Sequence, residues 1–422
     1  AGIGSGSYGD STDASKKGDV TINITGGTIE KATGGSAHVS GSALWYSGAG
    51  IGAGMNAGNT TINIEDKAHI VSAKSGDHGS AGIGGGYGSG TSNININGGR
   101  IDAASGSSTT NSGSVGGAGL GGGINSGKSI IKILKGIIGT VTGGSSSAGI
   151  GSGQKSAAEV YISGGTIDEV FGGKFGAGIG AGYNGSATVN ISGGTITKVS
   201  GGEYGAGIGS GHGSGKVDVV IDGGTIKATG GSDAAGIGSG HNSRSSVTIK
   251  SGTITAAGSA DSTSGSSGIG GNYTDVTISG GNITATGYDT GAGIGGSYGG
   301  DRSSITITGG TITANGTDEA PAIGNGSVSI SNTGVENAGA ELDITATAPD
   351  AARAIRSNDG KKLDKVIQLA ENGRSALVKL VKSGSDTIIS RLFHNGTYAA
   401  NHPSYNDSNR VPLKMSEEEK AK

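Results

Sequence analysis

Aromatic and imidazole side chains recur at one fixed position of a repeated phrase in the sequence. The phrase AGIGSG returns with small changes along the chain, and the position four residues after its central isoleucine holds a ring in five successive copies: Tyr183, His212, His241, Tyr273 and Tyr298. Rings held on a rigid edge are suited to sugars, because each offers an apolar body and a polar tip. We therefore predict a glycan-binding edge here; the alternative is that the rings stack on one another and stabilise a turn.

Metal, cofactor and acid–base chemistry find weaker support. His212 and His241 offer two imidazoles without an obvious carboxylate as third ligand, so we predict no metal site and no cofactor. Asp218 and Asp222 lie four apart along a predicted strand, which separates them by about 13 Å, too far for paired glycosidase carboxylates. We predict no catalytic residue. The other acids considered are Asp168, Glu169, Asp275 and Asp301.

The AGIG phrase sets the period of the chain. Its central aliphatic residues Ile179, Ile208 and Ile237 are 29 residues apart. Self-similarity at such a period is the signature of a stacked repeat architecture. The other copies are centred on Ile3, Ile51, Ile83, Leu120, Ile150, Ile269, Ile294 and Ile323.

Each repeat also carries two alternating phrases separated by paired glycines. In one repeat these are Val189-Asn190-Ile191 and Thr195-Ile196-Thr197, and period-two alternation of β-branched residues predicts strands. Three short strands per repeat cannot bury their apolar side alone, whereas a stack of copies can. We therefore predict an all-β fold, a parallel β-helix (solenoid) of about 11 coils over residues 1–345. Its inner ladders would be the AGIG isoleucines, the Val/Ile pairs and the Ile167 to Ile312 series.

The glycines of the phrase have a predicted position as well. In Ala177-Gly178-Ile179-Gly180, we expect Ala and Ile to point inward while the glycines face outward or turn the chain with positive φ. One side of the rod would then be nearly bare backbone. This predicts tight corners or, alternatively, a flat face on which another rod or an extended polymer lies.

The composition excludes several classes of protein. Gly makes up 93 of 422 residues with only 4 Pro, which excludes collagen, and no Cys is present for disulfides or thiolate chemistry. A formal net charge of −3 argues against a nucleic-acid partner. No apolar run reaches the roughly 20 residues of a membrane span.

The C-terminal part departs from the repeat. We predict a small β meander or cap over residues 346–413, with Asn372-Gly373 and Asn395-Gly396 as turns, and a disordered tail over 414–422. A helix over Lys361 to Glu371 is the alternative for its first segment. Because the chain begins within a repeat phrase, we expect a fragment of a longer chain; the alternative is that coil ends stack on one another.

The phrases AGIGSG, VTISGG and TITATGG, over roughly residues 1–330, resemble the Gly-rich repeat regions of large bacterial surface proteins, particularly those of anaerobic gut bacteria. Such regions are often described as carbohydrate-binding or adhesin-like. The resemblance implies an extracellular, cell-surface, non-enzymatic structural or adhesive protein, with a glycan or another cell-surface polymer as partner. Two alternatives stay open: a filament subunit that associates end to end, and a polysaccharide-degrading enzyme.

Overall fold

The structure is a computed structural model that describes residues 1–6, 17–38, 45–107, 116–262, 264–297, 302–333, 341–370, 376–384 and 389–394. Almost all of its regular structure is β. Each coil contributes three short strands, and equivalent strands of successive coils pair in parallel. We name the three resulting stacks the Ile-Gly ladder, the second ladder and the third ladder, in their order along each repeat.

The Ile-Gly ladder is built from two-residue strands. Ile179 pairs with Ile208 and Ile208 with Ile237, so the predicted isoleucine column is confirmed. Twelve strands of the described residues form this ladder: Ile3–Gly4, Ile51–Gly52, Ile83–Gly84, Leu120–Gly121, Ile150–Gly151, Ile179–Gly180, Ile208–Gly209, Ile237–Gly238, Ile269–Gly270, Ile294–Gly295, Ile323–Gly324 and Ile355–Arg356.

The other two ladders run side by side along the rod. Strands of the second ladder are Ser92–Ile96, Ser129–Ile133, Ala157–Ile162, Ser186–Ile191, Thr274–Ile278, Ser304–Ile307, Ser327–Ser331 and Ile367–Gln368. Those of the third are Ala32–Thr33, Arg100–Ser105, Ile137–Thr142, Thr166–Phe171, Thr195–Ser200, Asn282–Thr286, Gly310–Asn315, Leu342–Ala348 and Ala376–Lys382. Four longer strands span both ladders: Val20–Ile29, Thr60–Lys74, Val217–Thr229 and Ser245–Ala257.

The core is a narrow column of branched aliphatic residues. Val189, Val219 and Val247 stack in register, and so do Ile196, Ile226 and Ile254. All six side chains are at most 1% exposed. Burial of such a side chain contributes about 1.5–3 kcal/mol, so the ladders supply the main stabilising term. The predicted parallel β-helix is thereby confirmed.

Glycines of the AGIG phrase are buried in the coils within the stack, so the expected bare backbone face is wrong, whereas the alternative of tight corners with positive φ is confirmed. Gly178 faces the interior, where an added Cβ would lie 2.4 Å from Val199 Cγ2. Gly180 has a φ of +134°, and its Cβ would lie 2.0 Å from the carbonyl oxygen of Gly209. The coils approach so closely at this corner that neighbouring backbone takes the place of solvent.

Buried serine hydroxyls satisfy backbone groups next to the same corner. Ser152 Oγ accepts a hydrogen bond from the Gly182 N–H at 2.9 Å, and Ser210 Oγ accepts one from the Gly240 N–H at 2.9 Å. Buried polar groups need such partners, because an unpaired one costs free energy. Where the phrase has Ser at this position, as at Ser152 and Ser210, the hydroxyl links its coil to the next.

Parallel stacking continues beyond residue 345. Ile367–Gln368 pairs in parallel with Ser327–Ser331, and Ala376–Lys382 pairs in parallel with Leu342–Ala348. The predicted meander, in which these two segments would pair antiparallel with each other, is therefore wrong. Ile389–His394 does pair antiparallel with Ala376–Lys382. Residues 372–373 and 395–422, which include both predicted turns and the tail, lie outside the described residues.

Smaller elements complete the described part. Of the alternative helix over 361–371, only Leu363–Val366 is α-helical, and Ala351–Arg353 forms a 3-10 turn. Ser36–His38 and Trp45–Ser47 form an antiparallel pair on an N-terminal insertion. None of the helical segments described has the length and apolar character that crossing a bilayer requires.

Replacing one glycine of the Ile-Gly ladder should disrupt the stack. We expect Gly180→Ala to destabilise the fold by at least about 2 kcal/mol, because the new methyl group meets backbone and φ is unfavourable for Ala. Gly215→Ala is the matched control, since the nearest atom to its added Cβ is 3.5 Å away. Thermal unfolding followed by circular dichroism measures both; equal melting temperatures for the two variants would contradict the tight contact.

Candidate functional site

Three of the five predicted ring residues come together in one column. Tyr183, His212 and His241 lie in the turn that follows the Ile-Gly strand of successive coils. Ring centroids are 5.5 Å apart for Tyr183 and His212 and 5.2 Å for His212 and His241, with planes within 14° and 5° of parallel. Backbone hydrogen bonds between the turns, from Asn184 N–H to His212 O and from Gly213 N–H to His241 O, hold this spacing.

A second column of rings, not predicted from the sequence, packs beside the first. Phe175 and Tyr204 stack with centroids 5.4 Å apart. Phe175 meets His212 at 5.7 Å and Tyr204 meets His241 at 5.6 Å, both edge to face. The signal was present, because these residues stand four positions before Ile179 and Ile208. We call Phe175, Tyr183, Tyr204, His212 and His241 the ring cluster.

The two columns are joined through the main chain as well as through side chains. The His212 N–H donates to Phe175 O at 2.9 Å, and the His241 N–H donates to Tyr204 O at 3.0 Å. In both cases the turn that follows the Ile-Gly strand of one coil bonds to the preceding coil. The acceptor lies just before the Ile-Gly strand of that preceding coil. The rings are consequently fixed by the same coil spacing that builds the core.

Charged groups surround the ring cluster. Lys174 Nζ lies 5.6 Å and 5.7 Å from the Phe175 and Tyr204 ring centroids and 3.2 Å from Glu203 Oε2. The Tyr204 hydroxyl and then Lys174 lower the pKa of Glu203, while Glu203 raises the pKa of Tyr204. Asp233 Oδ2 lies 3.7 Å from His241 Nδ1. The cluster therefore has both signs of charge at its rim.

Tyr273 does not continue the column. Thr274 pairs with Ser245, so Tyr273 directly precedes its strand, whereas His241 lies four residues before Ser245. The turn between the Ile-Gly strand and the next strand is shorter in this coil than in the coil of His241. Tyr273 therefore does not align with His241, although both lie four residues after their isoleucine. Tyr273 is 39% exposed, and its ring lies between Arg244 and Arg302. Tyr298 lies outside the described residues.

Stacking determines what the ring cluster can do. The facing sides of Tyr183, His212 and His241 cover one another, so half-buried ring edges rather than full faces meet solvent. The ring planes of His212 and His241 are parallel, so the nitrogen lone pairs, which lie in these planes, do not converge on one point. This geometry does not suit two ligands of one metal ion. Within the described ranges, no three His, Cys, Asp or Glu residues are grouped so that they could hold a metal ion.

Three of the six acids considered for catalysis contact a nearby polar or charged group. Glu169 lies 3.2 Å from Lys198 Nζ, and Asp218 lies 3.0 Å from Lys216 Nζ. Asp222 accepts a hydrogen bond from Ser251 at 3.2 Å. Asp301 lies outside the described residues. These contacts are those of carboxylates on the outer side of a sheet, with Asp218 and Asp222 on one coil and Glu169 on another.

Acid should weaken the ring cluster through His212. Burial, and to a smaller extent the adjacent His241, lowers the pKa of His212 below its ordinary value of 6.5. The unfolded chain then binds a proton that the folded chain resists, so stability is full above about pH 6.5 and falls as the pH drops below it. His212→Tyr, which keeps a ring as in Tyr183, should reduce this loss. Melting temperatures at about pH 7.5 and about pH 5.5 test it; an undiminished loss in the variant would contradict it.

Comparison with known proteins agrees with the ladders. The family model described as beta helix repeat matches residues 22–55, 160–183, 189–212, 219–241, 247–273, 276–298 and 305–327. Five of these segments end at a predicted ring position, so the matched unit runs from the second ladder through the third ladder and the Ile-Gly strand to the ring. No curated protein matches the chain, and no solved structure matches it. The chain therefore contains a parallel β-helix repeat region.

Proposed function

We propose that the chain is an extracellular structural and adhesive element: a rigid rod that presents side chains at fixed spacing to a glycan. The observation that carries this proposal is the unbroken parallel pairing of the Ile-Gly ladder from Ile3–Gly4 to Ile355–Arg356. With coils about 4.8 Å apart, eleven steps extend about 50 Å. Such a rod holds its two ends at a fixed distance. A surface side chain that occurs in every repeat is presented once per coil.

The cell-surface location is supported by the AGIG, VTISGG and TITATGG phrases, which resemble repeat regions of bacterial surface proteins. A non-catalytic role is supported by the ion pairs of Glu169 and Asp218 with lysines, which hold these carboxylates as surface charges. An acid–base pair would instead need two carboxyl groups flanking one bond.

Adhesion is supported by aromatic groups that stand at the turns after the Ile-Gly strands. Tyr183 is half-buried at the start of the ring column, and Tyr273 is exposed between two cations. Both combine an apolar body with polar neighbours, the combination that sugars with C–H faces and hydroxyl groups require. His212 and His241 fix the position of Tyr183 by stacking.

Electron microscopy should show dispersed rods. We expect the purified chain at micromolar concentration to give single particles, at least about 50 Å long, because the ladders hold the coils in one straight stack. Gly180→Ala serves as the control with a disrupted stack. Long fibres with a regular axial repeat would instead support the filament subunit.

A glycan array tests the adhesive role. Tyr183→Ala together with Tyr273→Ala should abolish retention on glycans that the unmodified chain binds, since both contact positions lose their rings. Tyr161→Ala is the matched control, because Tyr161 is 37% exposed but lies on the second ladder away from these turns. Retention that survives the double substitution would count against the ring positions.

A further inference from the structure

Tyr273 is held between two guanidinium groups on neighbouring coils. Arg244 Cζ lies 5.7 Å and Arg302 Cζ 5.6 Å from the centroid of its ring. Both distances fall in the range of cation–π attraction. Arg244, Tyr273 and Arg302 are all exposed, so the group forms a surface site rather than part of the core. We call these three residues the Arg-Tyr-Arg site.

The backbone of Tyr273 is unfavourable for its residue type. Its φ is +57°, in the left-handed region that Asn and Gly adopt far more readily than an aromatic residue. In the turns of neighbouring coils the left-handed residue is Asn184, Gly213 or Asn242. A strained conformation retained where an easier residue would serve points to a function of the ring.

Unlike Arg100 and Arg353, Arg244 and Arg302 form no ion pair with a carboxylate in the part of the chain that the structure describes. Arg100 Nε lies 2.5 Å from Asp102 Oδ1, and Arg353 Nε lies 3.7 Å from Asp350 Oδ2. Among the described carboxylates, none forms an ion pair with Arg244 or Arg302. Both guanidinium groups therefore keep donors available for an anion.

Strand register fixes the spacing of the site. Ser245 pairs with Thr274, and Asp275 pairs with Ser304, so Arg244, Tyr273 and Arg302 occupy equivalent positions before three successive strands of the second ladder. Two coil steps separate the arginines by about 10 Å along the rod. An extended polymer lying along the rod would meet both cations and the tyrosine between them.

We propose that the Arg-Tyr-Arg site binds an acidic polysaccharide of uronic acid units. The guanidinium groups receive carboxylates of the polymer, with a geometry that suits bidentate pairing, while the edge and hydroxyl group of Tyr273 contact the sugar between them. A site with two cations disfavours a nucleic acid, whose affinity rests on many phosphate contacts. The proposal rests on the adhesive function proposed above and specifies its ligand class.

Binding of the full chain to immobilised alginate, a linear polyuronate, tests the proposal. Arg244→Gln together with Arg302→Gln should weaken binding about tenfold or more, because each variant side chain loses a charge-assisted hydrogen bond. Lys227→Gln with Lys250→Gln is the matched control, since these lysines are exposed in the same part of the rod and lie outside the site. Equal weakening in both double variants would show a general charge effect and overturn the site.

Tyr273→Asn separates binding from folding. Asn suits a positive φ, so the melting temperature should stay the same or rise, while alginate binding should fall because the arginines lose the ring that positions them. Unchanged alginate binding in this variant would remove the tyrosine from the site and contradict the proposal.

Double-stranded DNA and neutral array glycans, used as further probes, distinguish three ways in which the proposal can fail. Binding of double-stranded DNA as tightly as alginate would overturn it in favour of a general polyanion surface. Retention of neutral array glycans without alginate binding would overturn it and leave the adhesive function standing. Binding of neither glycan class would remove both proposals.

Discussion

At the Ile-Gly ladder the backbones of adjacent coils come so close that no side chain fits between them. A Cβ on Gly180 would lie 2.0 Å from Gly209 O, and one on Gly209 would lie 2.0 Å from Gly238 O. This contact accounts for the high glycine content and for a narrow core that Ile, Val and Ala fill. It also fixes the coil spacing, from which every surface column of the rod takes its period.

The ring cluster and the Arg-Tyr-Arg site depend on this spacing in different ways. In the ring cluster, this spacing lets Tyr183, His212 and His241 stack, and the stacking stabilises the turns. At Tyr273 a shorter turn removes the ring from that column and places it between Arg244 and Arg302. The shorter turn before Tyr273 thus creates the Arg-Tyr-Arg site, whose guanidinium donors are exposed.

Much of the fold was predictable because a 29-residue period and β-branched alternation report directly on stacking. The ladders through Ile179 and Ile196 followed from these two features. The distance of Tyr273 from the AGIG isoleucine did not predict its place in the structure. Its neighbours are set by the pairing of the following strand, in which Thr274 pairs with Ser245. The strand Ile355–Arg356 was missed because Arg356 stands where the phrase has Gly, and a local turn signal outweighed the parallel pairing of Ala376–Lys382.

A disulfide test addresses the stacking of coils most directly, because the chain has no cysteine of its own. Thr195 pairs with Thr225, and Thr225 pairs with Thr253, all three exposed on the third ladder. Thr195→Cys with Thr225→Cys places Cα atoms about 5 Å apart, within disulfide range, whereas Thr195→Cys with Thr253→Cys places them about 10 Å apart. Under mild oxidation, parallel stacking of the coils in this register predicts an intramolecular disulfide in the first pair and none in the second. No disulfide in the first pair, or equal yields in both, would contradict the stacking.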